Sequence, residues 1–95
     1  MLKIKIEKGT SYKVMSPDTS NSLKIGFAVT LKEAITRTLA AEKRAKDKGY
    51  DGERWLVVET KWSRVYNKNG EFLRENVHSE VVAIVNADGT VEYKE

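Results

Sequence analysis

Apolar and polar residues alternate from the first residues of the chain. Leu2, Ile4 and Ile6 alternate with Lys3, Lys5 and Glu7, the period-two pattern of a strand with one face in the core and the other wet. The turn-like run KGTS, residues 8–11, predicts a break, and YKVM, residues 12–15, a second short strand. Residues 16–22 collect the Ser, Pro, Asp and Asn that favour loops. A third strand is expected over 23–29, with Leu23, Ile25, Phe27 and Val29 on its apolar side and Gly26 on the other side marking a bend or bulge.

The period then changes from two to 3.6. Thr30 followed by Glu33 is a capping box, so a helix starts at Leu31. Leu31, Ala34, Ile35, Thr38, Leu39, Ala41 and Ala45 fall on one face, and charged residues occupy the rest. Lys46 and Lys48 suit the negative end of the helix dipole, and Gly49 can take the left-handed cap with Tyr50 folding back towards Ala45.

From Arg54 onward the pattern is all strand. Two long runs flank Asn67-Lys68-Asn69-Gly70, and a second turn, Asn86-Ala87-Asp88-Gly89, leads to a short terminal strand. Each turn fits either a type I turn closed by a left-handed Gly or a two-residue primed turn. With the latter, Lys68 faces Glu71, Tyr66 faces Leu73, Arg64 faces Glu75, Trp62 faces Val77 and Val58 faces Val81. One face then carries Leu56, Val58, Trp62 and Tyr66 with Ala83, Val81, Val77 and Leu73. The other carries Trp55, Val57, Val82 and Ile84 at the base and turns polar towards the tip.

The base of this ribbon is thus apolar on both faces, and a single helix covers only one. The second face needs the N-terminal strands folded over it as another layer, or a partner. Trp62 and Tyr66 read in two ways, as ordinary core or as a docking surface with Arg64 and Arg74 beside it.

Composition narrows the classes. Ninety-five residues with 40% apolar and 33% charged side chains predict one folded domain with a small core. The chain has no cysteine, which removes disulfide scaffolds, thiol nucleophiles and cysteine-based metal sites. The alternating N-terminus is unlike a signal peptide and no window reaches membrane-spanning length, so an intracellular, cytoplasmic protein is expected. The net charge of +3 is a mild bias compatible with a polyanionic partner.

Candidate chemistry is sparse. His78 is the only histidine; its expected neighbours, Lys61, Glu59 and Glu80, make a solvated polar face, and no nucleophile-elbow or His-x-x-His spacing accompanies them. Glu59 opposite Glu80 is a like-charge pair that either Lys61 relieves or a register shifted by two removes. Glu42 falls inside the apolar helical face, where burial demands a partner, and Lys46 is the ready one. Phosphate-cradling glycine loops and calcium-loop spacing are absent.

These patterns predict a single α+β domain over residues 1–95 in the order β-β-β-α-β-β-β, mostly antiparallel, with one helix on the sheet and a long hairpin. The expected function is a non-enzymatic protein-interaction module without cofactor or metal. It would dock a partner protein or a second copy through Trp62, Tyr66, Leu73, Val77, Arg64 and Arg74. Such a chain would also suit a small regulator or inhibitor from a mobile element. The alternative is DNA or RNA binding through Lys32, Arg37, Lys43, Arg44 and Lys48 on the helix together with the hairpin.

Overall fold

A computed structural model of the chain describes residues 4–17, 22–23, 25–26 and 28–94. Five strands and one helix follow in the order β1 (Lys5–Met15), β2 (Ser22–Leu23), α1 (Leu31–Asp47), β3 (Trp55–Tyr66), β4 (Phe72–Val85) and β5 (Val91–Tyr93). All strands join one antiparallel sheet, ordered β2-β1-β3-β4-β5. The expected α+β class, one helix on an antiparallel sheet, is the observed one.

The N-terminal third departs from expectation. The predicted turn at residues 8–11 is not made: β1 runs straight through it, because every residue from Lys5 to Met15 finds a partner on β3. Among the described residues the third expected strand shrinks to Ser22–Leu23, and Gly26 bends away at φ +76°. Leu23 and Ile25 pack against the core as expected, but the expected facing is reversed at the end of the segment, with Ala28 buried and Val29 exposed. Leu2, Lys24, Phe27 and most of the predicted loop lie outside the described residues.

The helix forms as the capping box predicts. Thr30 sits in an extended conformation and its Oγ1 accepts from the Glu33 amide at 3.1 Å. At the other end Gly49 adopts φ +91°, its amide donates to the Lys46 carbonyl, and the Tyr50 amide reaches back to Ala45 at 3.1 Å. These are the two reverse bonds of a Schellman cap. Ala34, Ile35, Thr38 and Glu42 are buried against Val14, Trp55, Val57, Ala83 and Val85 of the sheet. Thr38 tolerates this face because its hydroxyl donates to the Ala34 carbonyl at 2.7 Å.

Both turns are type I turns closed by a left-handed glycine. The Gly70 amide donates to the Asn67 carbonyl, Gly70 has φ +82°, and the Asn67 amide donates to Glu71; Asn86, Gly89 and Thr90 repeat the arrangement. Asn67 therefore opposes Glu71, one residue away from the two-residue alternative. An irregularity between Val65 and Tyr66 inserts Leu73 and restores the expected pairing from Val65–Arg74 to Val58–Val81. A second, between Val57 and Val58, inserts Val82.

Two corrections follow from these bulges. Tyr66 faces Phe72 rather than Leu73, and Ala83 joins Val57 on the helix side while Ile84 joins Leu56 on the other. An inserted residue flips the alternation beyond it. Nor do the N-terminal strands form a second layer, since β1 lies within the sheet beside β3. Among the described residues, no helix lies on the face bearing Leu56, Val58 and Ile84.

The molecule is long. It measures 61 × 25 × 23 Å with a radius of gyration of 17.2 Å, against about 12 Å for a compact domain of this length. The helix packs only on the β1–β3–β4 base, so residues 5–10, 61–66 and 72–78 project as a three-stranded arm without a helix on either face. Ile4 and Ile6, expected in the core, are each 61% exposed on this arm.

Candidate functional site

The arm is built from cross-strand rows, because antiparallel partners share a face and successive residues alternate. One face carries Lys5–Tyr66–Phe72, Glu7–Arg64–Glu75 and Gly9–Trp62–Val77. The other carries Ile6–Val65–Arg74, Lys8–Ser63–Asn76, Thr10–Lys61–His78 and Tyr12–Glu59–Glu80. The first is aromatic and the second polar.

Gly9 organises the aromatic face. It is the one residue opposite Trp62 on β1, and with no side chain it lets the indole lie across the strand: a β-carbon there would stand 2.5 Å from Trp62 Cζ2. Trp62 is consequently half-buried against its own sheet. The Arg64 guanidinium stacks over the indole at 5.2 Å from its centroid and donates through Nε to Glu75 at 2.7 Å. Glu75 holds the guanidinium pKa above its ordinary value through that hydrogen bond and its charge. Further out, Tyr66 and Phe72 meet edge-to-face with centroids 5.9 Å apart. Val77 beside Trp62 is 59% exposed and Phe72 56%.

Of the six residues expected to bind a partner, Trp62, Tyr66, Val77 and Arg64 share this face. Arg74 does not: its row with Ile6 and Val65 places it on the polar face. Leu73 is 54% exposed but sits in the bulge without a partner on β3. Phe72 takes its place, and reading Lys68–Gly70 as a three-residue loop between paired Asn67 and Glu71 would have found it.

On the polar face Glu59 and Glu80 do oppose one another, so the like-charge pair is real. Glu59 accepts from Tyr12 at 2.7 Å and lies 3.6 Å from Lys61, whereas among the described residues Glu80 has His78 Nε2 at 3.8 Å. Burial first, then the hydrogen bond and charge of Glu59, push the Tyr12 hydroxyl up to about 12. A depression of about 480 Å³ crosses the arm between the Lys8–Ser63–Asn76 and Thr10–Lys61–His78 rows. No three His, Asp or Glu side chains among the described residues converge as metal ligands.

The anomalous Glu42 is a pin between helix and sheet. It is 8% exposed and accepts from Trp55 Nε1 at 2.7 Å and from the Glu53 amide at 3.1 Å, one donor on each oxygen. Lys46, the expected partner, instead donates to the Ala87 carbonyl. Glu53 in turn accepts from buried Ser16 at 2.6 Å, which ties the end of β1 to the same point.

The helical cations are all exposed but stand on opposite flanks: at about 100° per residue, Lys32 and Lys43 lie roughly 120° from Arg37, Arg44 and Lys48. Arg37 is engaged by Glu33 and by the Ile25 carbonyl. The structure does not bring these five onto one surface.

No protein family, curated protein or solved structure matches the chain. No described helix is long and apolar enough to cross a membrane.

Proposed function

We propose that the protein is a non-enzymatic interaction module that docks a partner protein on the aromatic face of its arm. The observation that carries this reading is the stacked set Gly9–Trp62–Arg64–Glu75 with exposed Val77 and Phe72 beside it. The set is rigid before any partner arrives, because Trp62 is seated on Gly9 and Arg64 is held by Glu75. Aromatic and Arg side chains that lose little freedom on binding are where interface energy concentrates. The arm projects from the base, so its aromatic face is open along its whole length to a partner with an apolar strip and a carboxylate to share Arg64.

The test is capture of partners from a lysate by the immobilised chain, with Trp62→Ala/Val77→Ser beside the wild type and circular dichroism to check folding. A partner retained by the wild type and lost by the folded variant supports the reading. Retention unchanged by the variant rejects it, and retention abolished by moderate salt alone would favour nucleic acid instead.

A further inference from the structure

We propose that the free edge of β4 pairs with the same edge of a second copy, antiparallel about a two-fold axis through Val77. It does not rest on the aromatic docking reading, because it uses the backbone of the strand edge and the charges of the polar face; the two share Val77, so the charge reversals at Arg74 and Glu80 on the polar face tell them apart.

The edge is open over most of its length. β5 pairs with Ala83–Val85 and the Lys94 amide reaches Val82, so among the described residues Phe72–Glu80 has β3 on one side and no strand on the other, and all nine residues are exposed. Between the two bulges, residues 74–81 of β4 follow a regular ladder. The run has no proline and no lysine, and its charges, Arg74, Glu75 and Glu80, are of both signs and so can pair across a two-fold seam. The opposite edge of the arm is guarded: β1 presents Lys5 and Lys8 there against one Glu7.

The register follows from symmetry and charge. A two-fold axis perpendicular to the sheet keeps each side chain on its own face, so only pairings whose two residue numbers sum to an even value are allowed. With Val77 opposite the second copy's Val77, Arg74 opposes Glu80, Glu75 opposes Ser79 and Asn76 opposes His78. A shift of the axis to Asn76 sets Glu75 against Val77 and Phe72 against Glu80; an axis at Glu75 sets two carboxylates face to face. Of these three registers, the one at Val77 alone pairs charges of opposite sign across the seam and an apolar side chain with its like.

The same register meets a need already visible in the single chain. Glu80 faces Glu59 within the row Tyr12–Glu59–Glu80 with His78 Nε2 at 3.8 Å, while Arg74 makes no ion pair among the described residues. In the pair, Arg74 of each copy extends the Glu59–Glu80 row of the other. Three strands from each copy become a six-stranded arm, with both aromatic faces on the same side.

The experiment is sedimentation of the full chain across a concentration series. The wild type is expected to be a reversible dimer, and Arg74→Glu or Glu80→Arg to weaken it by about tenfold, since each reversal sets like charges at two symmetric places. The double reversal, Arg74→Glu/Glu80→Arg, is expected to restore it. Independently, Val77→Cys in this cysteine-free chain should oxidise to a covalent dimer, whereas Ser79→Cys, displaced about 13 Å along the strand from its symmetry mate, should not. A monomer at millimolar concentration, a dimer indifferent to the reversals, or equal crosslinking at both cysteines overturns the proposal. So does open-ended growth, which would assign the contact to β1 against β4.

Discussion

The indole of Trp62 covers Gly9, closely enough that a β-carbon on that glycine would lie 2.5 Å from Cζ2 and 2.8 Å from Cε2. Gly9 is therefore required by its neighbour and not by a turn. Gly9→Ala is expected to swing the ring off the strand, destabilising the chain by about 1–3 kcal/mol as an overpacking change does. Denaturant unfolding reads the loss, and a rise in acrylamide quenching of tryptophan emission reads the ring's exposure. Unchanged quenching would show that the strand, not the ring, gives way.

Glu42 makes a second expectation. Glu42→Ala leaves the Trp55 indole N–H and the Glu53 amide without acceptors in a buried place, at a cost of about 2–4 kcal/mol. Trp55→Phe removes one of those donors, so the two changes should be strongly non-additive in a double-mutant cycle. Additive effects would mean that the hydrogen bond contributes nothing.

Tyr12 gives the chain a pH dependence at alkaline pH. Its folded-state pKa is raised to about 12 from 10.0, so the protonated form is favoured by folding. A raised value contributes stability that is complete below the unfolded pKa and is lost as pH rises from about 10 through about 12. The wild type should lose thermal stability over that window more steeply than Tyr12→Phe. Ultraviolet titration should show one of the four tyrosines ionising late. Parallel curves for the two proteins would show that folding does not raise the Tyr12 hydroxyl.

How much of this was legible can be judged from single residues. The helix was, from Thr30 to Tyr50, because capping is local chemistry written within a few residues. The central ladder was also readable: Trp62–Val77 and Arg64–Glu75 follow from matched pairs. Bulges were not, since inserting Val82 or Leu73 leaves no mark in a run of apolar residues, yet each reassigns the side chains beyond it. The predicted turn at residues 8–11 failed for a tertiary reason, because Gly9 looks like a turn glycine until Trp62 is placed against it. Glu42 stood out as an anomaly on the helix, but its partners, an indole and a backbone amide on β3 and its approach, are not visible in helical spacing.

The last expectation separates two kinds of glycine on the same arm. Gly70 holds φ +82° with nothing within 4 Å of where a β-carbon would be, so Gly70→Ala costs only backbone strain, about 1 kcal/mol. Gly9 has ordinary backbone angles and costs by contact alone. If so, Gly70→Asn should recover most of the loss, since Asn tolerates the left-handed region, while Gly9→Asn should be worse than Gly9→Ala. Removing the ring should reverse the order at residue 9: in a Trp62→Ala background, Gly9→Ala is expected to be neutral or stabilising, because alanine suits an extended strand better than glycine does. Unfolding midpoints of the five single variants, Trp62→Ala included, and of the Trp62→Ala/Gly9→Ala pair decide it. A Gly9→Ala penalty that persists without the indole would place the constraint in the strand backbone and take away the physical basis of the stacked aromatic face.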